Sequence, residues 1–260
     1  DKKLLDHWLP VDVYVGGAEH AVLHLLYARF WHKFLHDEGI FKSEEPFQKL
    51  YHQGLILGPD GQKRSKSLGN TVSPDDVIKE YGADALRFYE RFKGPVDQSR
   101  PWSPDGPRAA KRFLDKFFRL YDDEEFVSKW TDEENESLEF VYATTIKKCT
   151  NDYEILHFNT GISQIMVCVN EFYKADKLPK KRLLGLAQLR APITPHLAEE
   201  CYSKLGYEGV IDFVKWPSAN EDKISARPVT YAIQVNGKLR STIEFKKDAT
   251  PEELEELKKL

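Results

Sequence analysis

Residues 11 to 30 read VDVYVGGAEHAVLHLLYARF, and the apolar period changes inside them. Val11, Val13 and Val15 alternate with polar or aromatic neighbours, which predicts a short strand, and Gly16-Gly17 closes it with a turn. From 18 to about 37 the apolar residues recur at helical spacing and cover nearly the whole circumference: Val22, Leu23, Leu25, Leu26, Phe30, Trp31, Phe34 and Leu35. A helix of that kind is expected to be buried on most sides. Further along, 54–57 reads as a second buried strand, Pro59-Asp60-Gly61 as a turn, and QKRSKSLGNTVS as a polar loop. Ser73 and Pro74 then open a helix with acids in its first turn, which runs through Val77, Ile78 and Tyr81 to Gly82. A short helix with Ala85, Leu86 and Tyr89 follows. Strand, helix, strand, loop and helix in this order are expected of an α/β nucleotide-binding layer.

Beyond a Pro/Gly-rich connector at 94–107 the period is purely helical. One stripe holds Ala109, Phe113, Leu114, Phe117 and Tyr121, and a second holds Leu138, Val141, Tyr142, Thr145 and Ile146. A third runs through Ile162, Ile165, Met166, Val169, Phe172 and Tyr173, and a fourth through Leu183, Leu184 and Ala187. Thr194-Pro195 starts a last helix that stops at Gly206. Short connections make this an antiparallel bundle of about five helices. From Val229 the period becomes two, and Asn236-Gly237 between the two alternating runs is a hairpin signal. Thr250, Pro251 and Glu253 form a capping box for a closing helix. Both ends read as cut, the first opening directly into apolar sequence and the last ending on a helix with nothing after it to pack against.

The 260 residues carry 38 basic and 42 acidic side chains, a net charge of −4, with 41% apolar residues. That is a globular composition, and it argues against a disordered chain. No apolar run is long enough for a transmembrane helix, and DKKLLDHWLP lacks the parts of a signal peptide, which points to the cytosol. Cys149, Cys168 and Cys201 are odd in number and form no CxxC pair, against a disulfide framework or a cysteine-built zinc site.

Two segments hold the candidate chemistry. Lys63-Arg64-Ser65-Lys66-Ser67 places three cations and two hydroxyls between Gly61 and Gly69. Such a loop is able to close on a polyphosphate and stabilise charge that develops in transfer; it is equally a solvated basic turn. In GGAEHAVLHLLYARF the paired glycines let backbone approach a ligand, and Glu19 and His20 stand where they could bind ribose hydroxyls. The alternative is a helix capped by its own Glu19 with His20 and His24 hydrogen-bonded in the core. His20 and His24 also have the i, i+4 spacing of zinc ligands, but the metalloprotease pattern needs Glu after the first His, so no metal site is expected. His32 and His36 read as a surface pair. Lys111, Arg112, Lys116, Arg119, Lys180, Lys181, Arg182 and Arg190 read either as solvated faces of the bundle or as contacts to a phosphate backbone. The acidic runs at 122–125 and 132–136 read as solvated connector.

WLPVDVYVGGAEHAVLHLLYARF, KRSKSLGN, SPDDVIKEYGADALRFY and APITPHLAEE, in this order, resemble the bacterial-type leucyl-tRNA synthetase family of class I aminoacyl-tRNA synthetases. The resemblance implies a ligase that activates leucine with ATP and Mg²⁺ and transfers it to tRNA(Leu). It implies that Lys66, with Lys63 in support, stabilises the pyrophosphate side of a KMSKS-type loop that also includes Ser65 and Ser67. It places Gly16, Gly17, Glu19 and His20 along the adenosine and ribose, and Tyr14 and His24 at the leucine pocket. Arg64 stands where methionine is usual, and an exposed arginine there would leave the loop without that packing. The implied organisation is a partial Rossmann-type α/β layer followed by an all-α part. Residues 1–58 are the C-terminal half of the Rossmann domain and 59–103 the KMSKS loop with its connecting helices. Residues 104–217 are an anticodon-binding-type bundle, and 225–260 begin a truncated small α+β tRNA-binding domain. Neither a HIGH-like motif nor an editing domain is found in the chain, so these residues alone are expected to be inactive without the N-terminal half of the enzyme. The parent is expected to be a cytoplasmic monomer.

Overall fold

The structure is a computed structural model, and it describes residues 1–58, 61–62, 64, 69 and 71–225, together with the backbone of 229–235 and 238–245. Lys63, Ser65, Lys66 and Ser67, the Asn236-Gly237 turn and the closing capping-box helix lie outside the described residues. The chain divides into two compact units, Asp1–Lys111 with Leu156–Asn159, and Arg112–Ile155 with Thr160–Leu260.

The first unit opens with α1 (Lys2–Trp8), whose N-cap Asp1 accepts from the amide of Lys3. Strand β1 (Tyr14–Gly16) leads through a 3₁₀ turn, Ala18–Val22, into α2 (His24–Asp37). β1 pairs in parallel with β2 (Leu50–His52), Tyr14 opposite Leu50 and Gly16 opposite His52. β3 (Ile56–Leu57) is followed by α3 (Pro74–Tyr81), α4 (Ala83–Phe92) and β4 (Arg100–Pro101), and β3 and β4 pair in parallel. α3 starts with Pro74 at its first position and Asp75 and Asp76 in its first turn, where acids offset the helix dipole. It stops at Gly82, whose φ of 89° suits a residue without Cβ. Ser73 holds the cap position, but its side chain makes no capping hydrogen bond.

Four features of this unit depart from the sequence pattern. The continuous helix from 18 to 37 is broken at Leu23, whose φ and ψ of −119° and −108° are not helical. Nor is it buried on most sides: His32 is the one buried residue of α2, while Leu26, Phe30 and Trp31 are 63%, 66% and 57% exposed. Hydrophobic periodicity records what a helix is able to bury, and the described residues do not cover that face. Likewise Val11, Val13 and Val15 are exposed, and the alternation is carried inward by Tyr14 and Gly16. The strand at 54–57 shrinks to two residues, with Ile56 exposed.

The second unit is built on helices. α5 (Asp105–Asp122) and the single-turn α6 (Glu124–Val127) lead to β5 (Trp130–Thr131), and α7 (Glu136–Glu154), α8 (Phe158–Lys174), β6 (Leu178–Pro179), α9 (Lys180–Arg190), α10 (Pro195–Lys204) and α11 (Glu221–Ser225) follow. β5 and β6 pair in parallel. The acidic run at 122–125 is therefore partly ordered: Asp123 caps α6 by accepting from the amide of Glu125, and α6 buries Phe126. The core joins Phe117, Leu120 and Tyr121 of α5 to Leu138, Tyr142 and Ile146 of α7 and to Ile165, Val169 and Phe172 of α8. Leu183, Leu186 and Leu189 of α9 and Ala198 and Cys201 of α10 complete it. Residues of all four apolar stripes are among them, joined by Leu120, Leu186, Leu189, Ala198 and Cys201, which the stripes do not include, and each large apolar side chain fully buried is worth about 1.5–3 kcal/mol. The period-two segment forms an antiparallel hairpin, β7 (Val229–Val235) and β8 (Lys238–Phe245), with a bulge between Ile233 and Gln234. Among the described residues no helix is long and apolar enough to cross a membrane.

Candidate active site

The glycine turn after β1 gathers the aromatic and imidazole side chains singled out in the sequence. Tyr14 is held in place by its own amide, which donates to the Lys49 carbonyl at 2.8 Å. Its hydroxyl shares a 3.0 Å hydrogen bond with Nδ1 of His24, and the two rings stack at 5.5 Å with 15° between their planes. Tyr27 meets His24 edge-on at 5.2 Å, and His20 lies 6.4 Å from His24. The spacing of His20, His24 and Tyr27 thus does bring them together, although His20 sits in the 3₁₀ turn before α2. Phe47 packs against Tyr14 at 4.7 Å. Nothing local in the sequence marks Phe47; it reaches Tyr14 through the parallel bridge between Val11 and Phe47 that precedes the β1–β2 pair.

Gly17 has a specific reason to lack a side chain. A Cβ there would lie 2.1 Å from Oε2 of Glu19, so the carboxylate folds back over the glycine and occupies that volume. Nδ1 of His20 is buried and has no hydrogen-bond partner among the described residues. A buried polar atom left in that state costs about 1–3 kcal/mol, which a ligand hydroxyl or amide would return. Among the described residues no group of three His, Cys, Asp or Glu side chains could hold a metal ion.

The far side of α2 is structural. Nε2 of the buried His32 donates to the Ser43 carbonyl at 2.8 Å, so it is not half of a surface pair, and His36 Nδ1 donates to the Phe41 carbonyl at 3.2 Å. Arg29 binds Glu45 through two N–H donors at 2.8 and 2.6 Å, and Lys33 lies 3.0 Å from the same carboxylate. Hydrogen bonds from Arg29 and then Lys33 hold the Glu45 carboxyl down at about 2. These exposed pairs orient α2 more than they stabilise it.

At the cationic loop the described residue is Arg64, and it is not exposed as the sequence suggests. It is half-buried, its Nε donates to the Leu57 carbonyl at 3.2 Å, and its guanidinium lies over the Trp102 ring at 5.6 Å. Trp102 is a second residue that the sequence pattern does not single out.

Two family models match the chain. One, tRNA synthetases class I (I, L, M and V), covers residues 2–98, and the other, the anticodon-binding domain of tRNA ligase, covers residues 136–256. A leucyl-tRNA synthetase (LeuRS) of Agrobacterium radiobacter, crystallised as a ternary complex with tRNA and LeuAMS, matches with a TM-score of 0.86 and 36% identity over 99% of this chain. The chain thus joins a class I tRNA synthetase domain to an anticodon-binding domain of tRNA ligases. It spans 35% of that LeuRS chain. The methionyl-tRNA synthetase of Mycobacterium tuberculosis bound by methionyl-adenylate shares the fold, with a TM-score of 0.60 and 17% identity over 77% of this chain and 45% of its own.

Several basic residues of the helical unit are already engaged. Arg190 is fully buried, its guanidinium 4.8 Å from the Phe117 ring and its Nη2 donating to Thr194 at 3.1 Å, so it faces no solvent. Arg182 makes a two-point pair with the buried Glu139 at 2.7 and 2.8 Å. Lys116 donates to Asn170, and Arg119 to Asp123. Arg112 and Lys181 are exposed on the same unit.

Proposed function

We propose that the protein carrying this chain is a leucine–tRNA ligase. It converts leucine and ATP to leucyl-adenylate and pyrophosphate, then transfers the leucyl group to tRNA(Leu). The observation that carries this reading is the 36% identity with a LeuRS maintained across 99% of the chain. The site adds chemical support. Gly16 is half-buried at the end of β1 and Gly17 is buried beneath Glu19, and Nδ1 of His20, without a partner among the described residues, suits a ribose or adenine group. Glu19, folded over Gly17, supplies a carboxylate for ribose hydroxyls. Tyr14 and His24, joined by their hydrogen bond, form an aromatic wall with Phe47 that suits an apolar amino-acid side chain.

In this reading Lys66, assisted by Lys63, stabilises negative charge on the pyrophosphate side as the α-phosphate is attacked, with Ser65 and Ser67 hydrogen-bonding the nucleotide. Mg²⁺ arrives on ATP, since it is commonly held by substrate phosphates and few protein ligands. Residues 1–58 are the second half of a Rossmann-type layer, to which the parallel β1–β2 and β3–β4 pairs are suited. Residues 59–103 carry the KMSKS-type loop, and 104–217 an antiparallel anticodon-binding-type bundle that positions the tRNA body. Residues 225–260 open a small tRNA-binding element, and the parent works as a cytoplasmic monomer. The test is amino-acid-dependent ATP–pyrophosphate exchange by the full-length protein. Exchange driven by leucine, and at least a hundredfold more weakly by methionine or isoleucine, is expected; preference for either of those two overturns the assignment.

A further inference from the structure

Arg64 occupies the centre of a small built contact. The Leu57 carbonyl at the end of β3 accepts both from Arg64 Nε, at 3.2 Å, and from the Trp102 amide, at 2.9 Å. Trp102 directly follows β4, whose pairing with β3 holds its backbone. The buried Tyr89 ring meets the indole edge-on at 5.1 Å. Tyr89 is itself immobilised, for its hydroxyl accepts from the Ser103 amide at 2.9 Å and from Lys93 Nζ at 2.6 Å. The platform under the guanidinium is therefore rigid. The half-buried Glu90 carboxyl is pushed up by desolvation and eased back by Lys93, Arg64 and Arg91.

We infer that Arg64 is a positioning residue. It anchors its own position on Trp102 and the Leu57 carbonyl in support of the chemistry proposed for Lys66, and it does not serve as a third phosphate-binding cation. This rests on the proposed role of Lys66 at the pyrophosphate. An arginine suits the task because one planar group is able to stack on an indole and donate to a carbonyl at the same time, which an ammonium cannot do.

The measurement is leucine-dependent ATP–pyrophosphate exchange by the full-length protein carrying Arg64→Ala, Arg64→Lys, Arg64→Met, Trp102→Ala, the Arg64→Ala/Trp102→Ala pair, or Lys66→Ala. Arg64→Ala and Trp102→Ala are each expected to lower kcat by about ten- to a hundredfold, the range that small misplacement of reacting groups produces, with the KM for leucine unchanged. The paired variant should be no worse than the weaker single one, and Met, which still packs on the indole, should recover more activity than Lys. Recovery by Lys and not by Met would assign Arg64 to phosphate charge and overturn the inference, and this comparison holds even if Trp102→Ala fails to fold. Losses that multiply in the pair, or wild-type exchange in Arg64→Ala beside a defective Lys66→Ala, also overturn it. Wild-type exchange in Lys66→Ala would instead remove the proposed role of Lys66 on which the inference rests.

Discussion

Tyr14→Phe removes one oxygen and leaves the ring free to stack on His24 and Phe47, so it separates the hydrogen bond from the packing. A hydrogen bond of this kind is worth about 1 kcal/mol, or roughly a fivefold change in an equilibrium. The expected result is a fold of unchanged thermal stability within about 2 °C and a KM for leucine raised about fivefold. An unchanged KM in pyrophosphate exchange would mean that the pair is only structural. The three cysteines call for a different measurement. Burial pushes the Cys149 and Cys168 thiols up to about 12, and that of Cys201 further. In the unfolded chain they ionise near the ordinary value of about 8.5. Between those values the unfolded state has lost protons that the native state keeps, so stability falls as pH rises. The decline should begin near pH 9 and reach at most about 1.4 kcal/mol per pH unit for each thiol. Urea titrations at pH 8, 9 and 10 check the slope, and a thiol reagent at pH 8 should label none of the three until the helices open.

At the scale of elements, α7 and α9 approach through Gly185. A Cβ at that position would lie 1.8 Å from the Tyr142 hydroxyl and 2.9 Å from its ring carbon. Alanine would gain about 1 kcal/mol of helix propensity, but displacing a buried tyrosine costs about 1–3 kcal/mol. Tyr142 also lies 5.1 Å beneath the guanidinium of Arg182, which is locked onto Glu139, so it has little room to yield. Gly185→Ala is expected to destabilise the chain by up to about 2 kcal/mol in urea unfolding, and a stabilised variant would contradict this packing. The elements that the sequence announces are those with local signals. Pro74 and Gly82 bracket α3, and the alternation on either side of Asn236-Gly237 yields the antiparallel β7 and β8. The bundle stripes are legible because Leu138, Ile162 and Leu183 each recur at helical spacing and are buried. The contacts that give the site its shape have no such signal. Phe47 reaches Tyr14 and Trp102 reaches Arg64, each through pairing of distant segments. The exposure of α2 is illegible for a related reason, since an apolar circumference says nothing about which segment covers it.

Across the whole molecule the two units differ in how they are held together, and that difference is measurable. In the helical unit Phe117, Leu120, Ile162, Ile165, Val169, Phe172, Leu183 and Leu186 are completely buried. In the other unit the fully or nearly buried apolar side chains fall mainly on α3 and α4, as Val77, Ala85, Phe88 and Tyr89. α2 buries only His32 and relies on the exposed pairing of Arg29 and Lys33 with Glu45, which contributes little. Amide exchange follows the free energy of the smallest opening that exposes each N–H, and a helix with few buried contacts opens locally before the core does. For this chain, amides of α2 are expected to exchange at least a hundredfold faster than those of α7, α8 and α9, a gap of about 2.7 kcal/mol in opening free energy. The apolar face of α2, with Leu26, Phe30 and Trp31 exposed, should also bind a hydrophobic dye. Trp31→Gln should weaken that binding without altering exchange in α7–α9. Hydrogen exchange read by mass spectrometry on peptides from 24–37 and 138–190 decides the matter. Equal protection in both would mean that the α2 face is covered in solution and that the helix is anchored as firmly as those of the bundle, contrary to the contacts it makes.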